Sequence, residues 1–258
     1  MSLKNKIQTE INQAIEAELF PGAAIGYILP GGKQEVVVGG HYTTSESSPI
    51  VTADSIYDLA SITKSIPTAS LALYLIDRGE LSLDDKVIYF LPQLTGEFMD
   101  EITVRHLLRF EIEYGFSLSK NKDKSAEEIL EIIFTTDLPT PPGTQYVYTN
   151  AAAVLLGLVV EKVAGEGLDK LAEKIFFKPL GMSRTRFRPL EKFTTEEIAP
   201  SEIDVWRGKA LRGEVHDESA YVLSSIIAPG SAGLFSTTSD LLKFMQMLLL
   251  GGEFAGRN

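Results

Sequence analysis

Ile7, Ile11, Ile15 and Leu19 recur every four residues at the start of the 258-residue chain, which is the spacing of one helix face, and Pro21-Gly22 follows as a stop signal. The period then changes. Two apolar runs, "AAIGYIL" and "QEVVVGG", flank "PGGK" and predict a β-hairpin over residues 23–40. From about residue 60 the pattern is helical, over 62–78, 103–109, 125–134, 150–164, 168–177 and 239–250. Long connections rich in Pro, Gly, Thr and charge separate these segments, among them "TTDLPTPPGTQYVYTN" and residues 184–229. Connections of that length are usually functional or pack as irregular structure. With no internal repeat or low-complexity linker, residues 1–258 read as one α+β domain. Residues 1–55 supply a helix and hairpin, and 56–252 form a mainly helical part.

Composition narrows the partners. Hydrophobic residues make up 44% and charged residues 23%, as in an ordinary globular chain. The 24 basic and 35 acidic residues give a net charge of −11 without any basic run, which argues against nucleic acid and anionic membrane surfaces. A small molecule or peptide is the expected ligand. There is no cysteine, so disulfides, thiolate catalysis and cysteine–zinc sites are excluded. His41, His106 and His216 are too scattered for a metal triad, and neither a metal nor a cofactor is expected. The first twenty residues lack the basic start and apolar core of a secretory signal, and no run of about 20 apolar residues follows. As written the chain reads as cytoplasmic; with a signal removed it would be periplasmic or extracellular and look the same.

Two short patterns carry chemistry. In "DLASITKSIPTAS", Ser61 and Lys64 are one helical turn apart at the head of an apolar run. Alone, such a pair reads more often as a capping Ser with an exposed Lys. Partly buried at a helix N-terminus, it is a hydroxyl beside an amine that desolvation makes a better proton acceptor. In "PPGTQYVYTNAAAVLLGLVV", Tyr148 and Asn150 stand just before an apolar helix. Asn150 is a good N-cap and Tyr148 could be a buried aromatic.

Together, the Ser-x-x-Lys and Tyr-x-Asn patterns resemble those of the serine β-lactamase and penicillin-binding protein superfamily. The similarity is greatest to class C β-lactamases, D-alanyl-D-alanine carboxypeptidases and family VIII esterases. It extends in order through "YDLASITKSIPT", "RGELSLDDKVIYFLPQL", "ITVRHLL", "IFFKPLGMSRTRF", "VHDESA" and "GSAGLFSTTSDLLKFMQMLLLGG". The resemblance implies a β-lactamase/transpeptidase-like fold, an antiparallel sheet flanked by helices plus a helical subdomain. It implies Ser61 as the acylated nucleophile, Lys64 as its proton acceptor and Tyr148 as the proton shuttle to the leaving group. Asn150 would hydrogen-bond the substrate amide or orient Lys64. The choice of base between Lys64 and Tyr148 stays open, and the Ser61 N–H would form half of an oxyanion hole.

Two departures stand against this pattern. The family's third motif, Lys or His followed by Thr or Ser and Gly, is missing after Asn150, and the chain stops at "GGEFAGRN". The usual C-terminal strands are therefore expected to be absent, leaving a two-stranded hairpin with an open edge that a second copy of the chain could pair with. In addition, "RFEIEYGFSLSK" at 109–120 replaces the family's usual "THTSGL", which alters the border of the site. Glu202, Asp204 and Trp206 read as a solvated acidic loop. Two functions follow: a metal-independent serine hydrolase acting through an acyl-enzyme on a β-lactam, a D-Ala-D-Ala-like peptide or a small ester, or a non-catalytic or truncated module that binds or is acylated without turnover.

Overall fold

The computed structural model describes residues 1–45 and 47–253. In chain order it contains α1 (Leu3–Glu16), β1 (Gly22–Ile28), β2 (Gln34–Gly40), β3 (Tyr57–Asp58), α2 (Ser70–Asp77), α3 (Val104–Arg109), α4 (Ala126–Thr135), α5 (Asn150–Ala164) and α6 (Leu168–Ala172). There follow β4 (Arg186–Phe187), β5 (Ile203–Asp204), β6 (Lys209–Ala210), α7 (Glu218–Leu223), β7 (Leu234–Ser236) and α8 (Thr238–Leu249). These elements form two compact units. One takes Met1–Asp58, Ile175–Glu214 and the chain from Phe235; the other takes Leu59–Lys174 and Val215–Leu234. The end of the chain, where the third motif is missing, lies from Phe254 outside the described residues. No helix among the described residues is long and apolar enough to cross a membrane.

In the first unit, β1 and β2 pair antiparallel with Gly22 opposite Gly40 and Ile25 opposite Val37, matching the expected hairpin. α1 packs on β2 and α8 on β1. Gly39 admits this packing, because a Cβ there would come within 2.6 Å of Ile11, the buried residue of α1. The helix ends earlier than its four-residue spacing implies: Glu18 turns to φ 56°, and Leu19 is exposed. A second sheet, ordered β3-β7-β4, is stitched by a buried hydrogen bond of 2.6 Å between the Thr185 and Ser236 hydroxyls. Asp240 on α8 accepts from Thr185 and from the Arg184 N–H, which ties the helix to that sheet. β5 and β6 form a small hairpin in which the buried Asp204 pairs with Arg207 at 3.0 Å, so Asp204 is not the solvated acid that its loop context suggested.

The second unit is built around α5. Residues Ala151–Leu156 are all buried, because this helix is apolar on every side and is packed by α2, α3 and α6. Its start is capped by Thr149, whose hydroxyl accepts from the Ala152 N–H at 3.2 Å. Asn150, expected to be the cap, is instead the first helical residue. At the other end Gly165 closes the helix at φ 66°. The expected helix over 62–78 is broken into a 3₁₀ turn (Ala60–Lys64), a wider turn (Ser65–Ala69) and α2. Pro67 accounts for the break: it has no N–H to donate and disfavours helical geometry in the preceding residue, and Ile66 is extended at φ −120°, ψ 107°. The segment around Gly230 lies against α5 so closely that a Cβ on Gly230 would sit 2.3 Å from the Ala153 carbonyl oxygen.

The three histidines differ in environment. His41 and His216 are exposed, whereas His106 belongs to the cap of α3: the Thr103 N–H donates to its Nδ1 at 3.2 Å. Desolvation, assisted by Arg105 and Arg109 and opposed by Glu111 and Glu101, lowers the His106 pKa below its ordinary 6.5.

Two predictions follow from this packing. Gly230→Ala forces the chain off α5 and should destabilise by about 1–3 kcal/mol, measured by urea unfolding. For His106, protonation removes the Nδ1 acceptor and the folded-state pKa is depressed. Its contribution is therefore present above the ordinary histidine value and is lost as pH falls through the lower folded value. His106→Gln keeps a capping side chain without titrating. Its melting temperature should fall less than the wild type's between about pH 7 and 5.

Candidate active site

The Ser61 turn is held from both sides. The Leu59 N–H donates to the Leu234 carbonyl at 2.9 Å, and the Leu234 N–H donates to the Thr63 hydroxyl at 3.1 Å. Thr63, fully buried, donates in turn to the Ala60 carbonyl at 2.7 Å. Between these anchors Ala60 is driven to φ 45°, a conformation that a residue with a Cβ adopts only under constraint. Ser61, next to it, is exposed.

A 3₁₀ turn nearly eclipses side chains at i and i+3, which sets Lys64 beside Ser61 more directly than the α-helix expected here. Lys64 Nζ donates to Ser61 Oγ at 2.9 Å and to the Ser231 carbonyl at 2.8 Å. Only 6% of Lys64 is exposed, so its amine is withdrawn from bulk water while the serine it meets is open. Thr68 donates to the Gly230 carbonyl at 2.8 Å and thereby positions the peptide next to Ser231.

Tyr148 is not the buried aromatic that its context allowed. It is 52% exposed, and its ring centroid lies 5.1 Å from Lys64 Nζ, where the face of the π system favours the cation. Behind it stands Phe110, with centroids 5.1 Å apart, and Tyr146 meets Phe110 edge-on at 6.3 Å. Two backbone bonds set this wall: Val147 N–H to the Phe110 carbonyl at 2.7 Å, and Gly143 N–H to the Glu111 carbonyl at 2.8 Å. The unusual 109–120 segment thus borders the Tyr148 loop, as the family resemblance implied.

Asn150 makes no bond to Lys64. Its Nδ2 donates to Asp217 at 2.8 Å and reaches Ser219 at 3.5 Å. Ser61, Lys64 and Tyr148 are therefore assembled directly, while Asn150 is fixed from α7. Sequence reading missed Ser231, Asp217, Ser219 and the Phe110 support. Ser231 acts through its main chain, which no side-chain pattern reveals, whereas Asp217 carries the signal of an N-cap, an Asp three residues before an apolar Ala220.

The beta-lactamase family profile matches residues 8–257. The chain belongs to the beta-lactamase family. A putative D-alanyl-D-alanine carboxypeptidase of Escherichia coli K12 is 32% identical over 229 aligned positions, and the match covers 79% of this family member and 52% of the relative. The octameric penicillin-binding protein homologue from Pyrococcus abyssi superposes with a TM-score of 0.77 at 27% identity, over 98% of this chain and 57% of the other. The D-alanine carboxypeptidase AmpC from Burkholderia cenocepacia gives 0.74 at 25% identity, over 95% and 63%. The chain spans about half the length of the carboxypeptidase relatives it matches. The fold is of the β-lactamase/transpeptidase type, with helices and antiparallel sheets, as the resemblance implied.

Thr63→Val keeps the shape of the buried side chain but leaves the Leu234 N–H without its acceptor and the Ala60 carbonyl without its donor. It should cost about 2–4 kcal/mol in chemical denaturation and slow labelling of Ser61 by a fluorophosphonate, because the strained turn loses its brace.

Proposed function

We propose that this beta-lactamase-family chain is a serine hydrolase of the carboxypeptidase or amidase type that acts through an acyl-enzyme on Ser61. The observation that carries the reading is the 2.9 Å hydrogen bond between Ser61 Oγ and the buried Lys64 Nζ. A hydroxyl is a weak nucleophile at neutral pH and needs a base within hydrogen-bond reach. Lys64 meets that requirement directly, whereas Tyr148 approaches it by its ring, and this favours Lys64 as the acceptor in acylation. As Ser61 Oγ attacks the acyl carbonyl, its proton passes to Lys64. The resulting ammonium is stabilised by the Ser231 carbonyl and the Tyr148 face. Expulsion of the leaving group takes up a proton, for which the Tyr148 hydroxyl is the candidate donor, and water then releases the acid.

The names of the E. coli and B. cenocepacia relatives favour a substrate with a D-alanine terminus. β-Lactams and small esters can enter the same acylation step, since each offers a carbonyl and a leaving group to one nucleophile.

Intact-protein mass spectrometry after exposure to a fluorescent penicillin or to a fluorophosphonate tests the reading. Wild type should gain one label and Ser61→Ala none, with folding weakened by about 1 kcal/mol because the buried Lys64 Nζ loses one of its two partners. Decay of the penicillin adduct measures turnover. Labelling of both proteins would move the nucleophile elsewhere, and labelling of neither would show that Lys64 does not activate Ser61.

A further inference from the structure

We infer that the buried hydroxyl of Ser231 serves as a reserve partner for Lys64, engaged when Ser61 becomes acylated; the inference rests on Ser61 being the nucleophile. Ser231 is fully buried, and among the described residues its Oγ meets no hydrogen-bond partner. Its neighbours are all paired. Thr63, Thr68 and Ser219 are equally buried in the same unit, and their hydroxyls donate to the Ala60 carbonyl at 2.7 Å, to the Gly230 carbonyl at 2.8 Å and to Asp217 at 2.6 Å. A buried hydroxyl left unpaired lowers stability, and its presence on a residue that touches the reacting groups points to a use in another state of the protein.

That state is the acyl-enzyme. Lys64 places its N–H groups on Ser61 Oγ at 2.9 Å and on the Ser231 carbonyl at 2.8 Å, with the Tyr148 ring 5.1 Å away. Acylation turns Ser61 Oγ into an ester oxygen, whose lone pairs are drawn toward the acyl carbonyl and which accepts only weakly. In the same step Lys64 takes the Ser61 proton, so the amine gains charge as it loses an acceptor. With 6% of the residue exposed, bulk water does not make good the loss. Ser231 is placed to do so. Its carbonyl already meets Nζ, and its hydroxyl changes direction by rotation about the Cα–Cβ bond alone. That rotation breaks no hydrogen bond, since Oγ has none to lose. The main chain stays in place meanwhile, held before Ser231 by Thr68 on the Gly230 carbonyl and after it by the Leu234 N–H on Thr63. Ser231 is a positioning residue in this scheme, acting through Lys64.

The test is urea unfolding at pH 6 of four proteins: wild type, Ser231→Ala, Ser61→Ala and the double variant. Ser61→Ala takes from the amine the same partner that acylation removes, without any reaction. In the wild-type background Ser231→Ala deletes an unpaired hydroxyl, and the unfolding equilibrium constant should stay equal or fall. In the Ser61→Ala background the same change should raise that constant by about 10-fold, the worth of one hydrogen bond to a charged group. A hydroxyl that only fills space acts alike in both backgrounds, so equal effects overturn the inference.

The acylated protein supplies a second readout, the decay of the fluorescent-penicillin adduct against pH, followed by mass spectrometry. Loss of a hydrogen bond to the ammonium favours the neutral amine, so the Ser231→Ala profile should lie about one pH unit to the acid side of the wild type's. An unmoved profile overturns the inference. Where the adduct persists, the fluorophosphonate-labelled proteins are unfolded in its place, and Ser231→Ala should again cost about 10-fold; no difference between the labelled proteins overturns the inference as well. Should neither reagent acylate the wild type, the nucleophile reading fails by itself, while the four-protein comparison still decides whether the Ser231 hydroxyl takes the place of Ser61.

Discussion

A lysine amine taken out of water must be given partners for its N–H groups, and much of the second unit is arranged around that requirement at Lys64. Burying such a group without partners costs several kcal/mol, so its position is only as stable as the groups it meets. One is a hydroxyl, Ser61, and the other a main-chain carbonyl, Ser231. The carbonyl is held by constraints that do not touch Lys64 at all: Thr68 bonding to Gly230, and the fit of Gly230 against Ala153 on α5. Ser61 is held likewise, through Thr63 and the strained Ala60. The placing of Ser61 beside Lys64 is thus a property of packing several residues away.

The same economy governs the opposite wall. Tyr148 cannot be buried if it is to exchange protons with a leaving group, and an exposed ring has no fixed place unless something flat supports it. Phe110 provides the support, and the backbone bonds between the 110–111 and 143–147 segments keep the two rings together. Asn150 follows two residues later on a rigid helix, so the loop passes from aromatic contact to helical geometry within three residues.

Side-chain chemistry was readable before the fold was known. Ser61 and Lys64 are visible because three-residue spacing and an apolar flank are written in side chains, and α5 is legible from its unbroken apolar run, with bounds that match residues 150–164. Main-chain roles are not written that way, which is why Ser231 was missed. The long helix over 62–78 was misread for a related reason: hydrophobic period continues through Pro67, while the backbone does not. Thr149 took the cap from Asn150 because a carboxamide that is needed by Asp217 cannot also serve the helix end.

The order of segments along the chain has a temporal consequence. The bond from Lys64 to Ser231 closes 167 residues, and between them the chain leaves its own unit at Ile175 and returns at Val215. Contacts of such separation form late, because the closure entropy must be overcome before the contact contributes. During synthesis the serine and lysine emerge early and wait for their carbonyl. A nascent chain halted before Ser231 therefore carries Ser61 and Lys64 without the carbonyl that fixes the lysine amine in the folded chain.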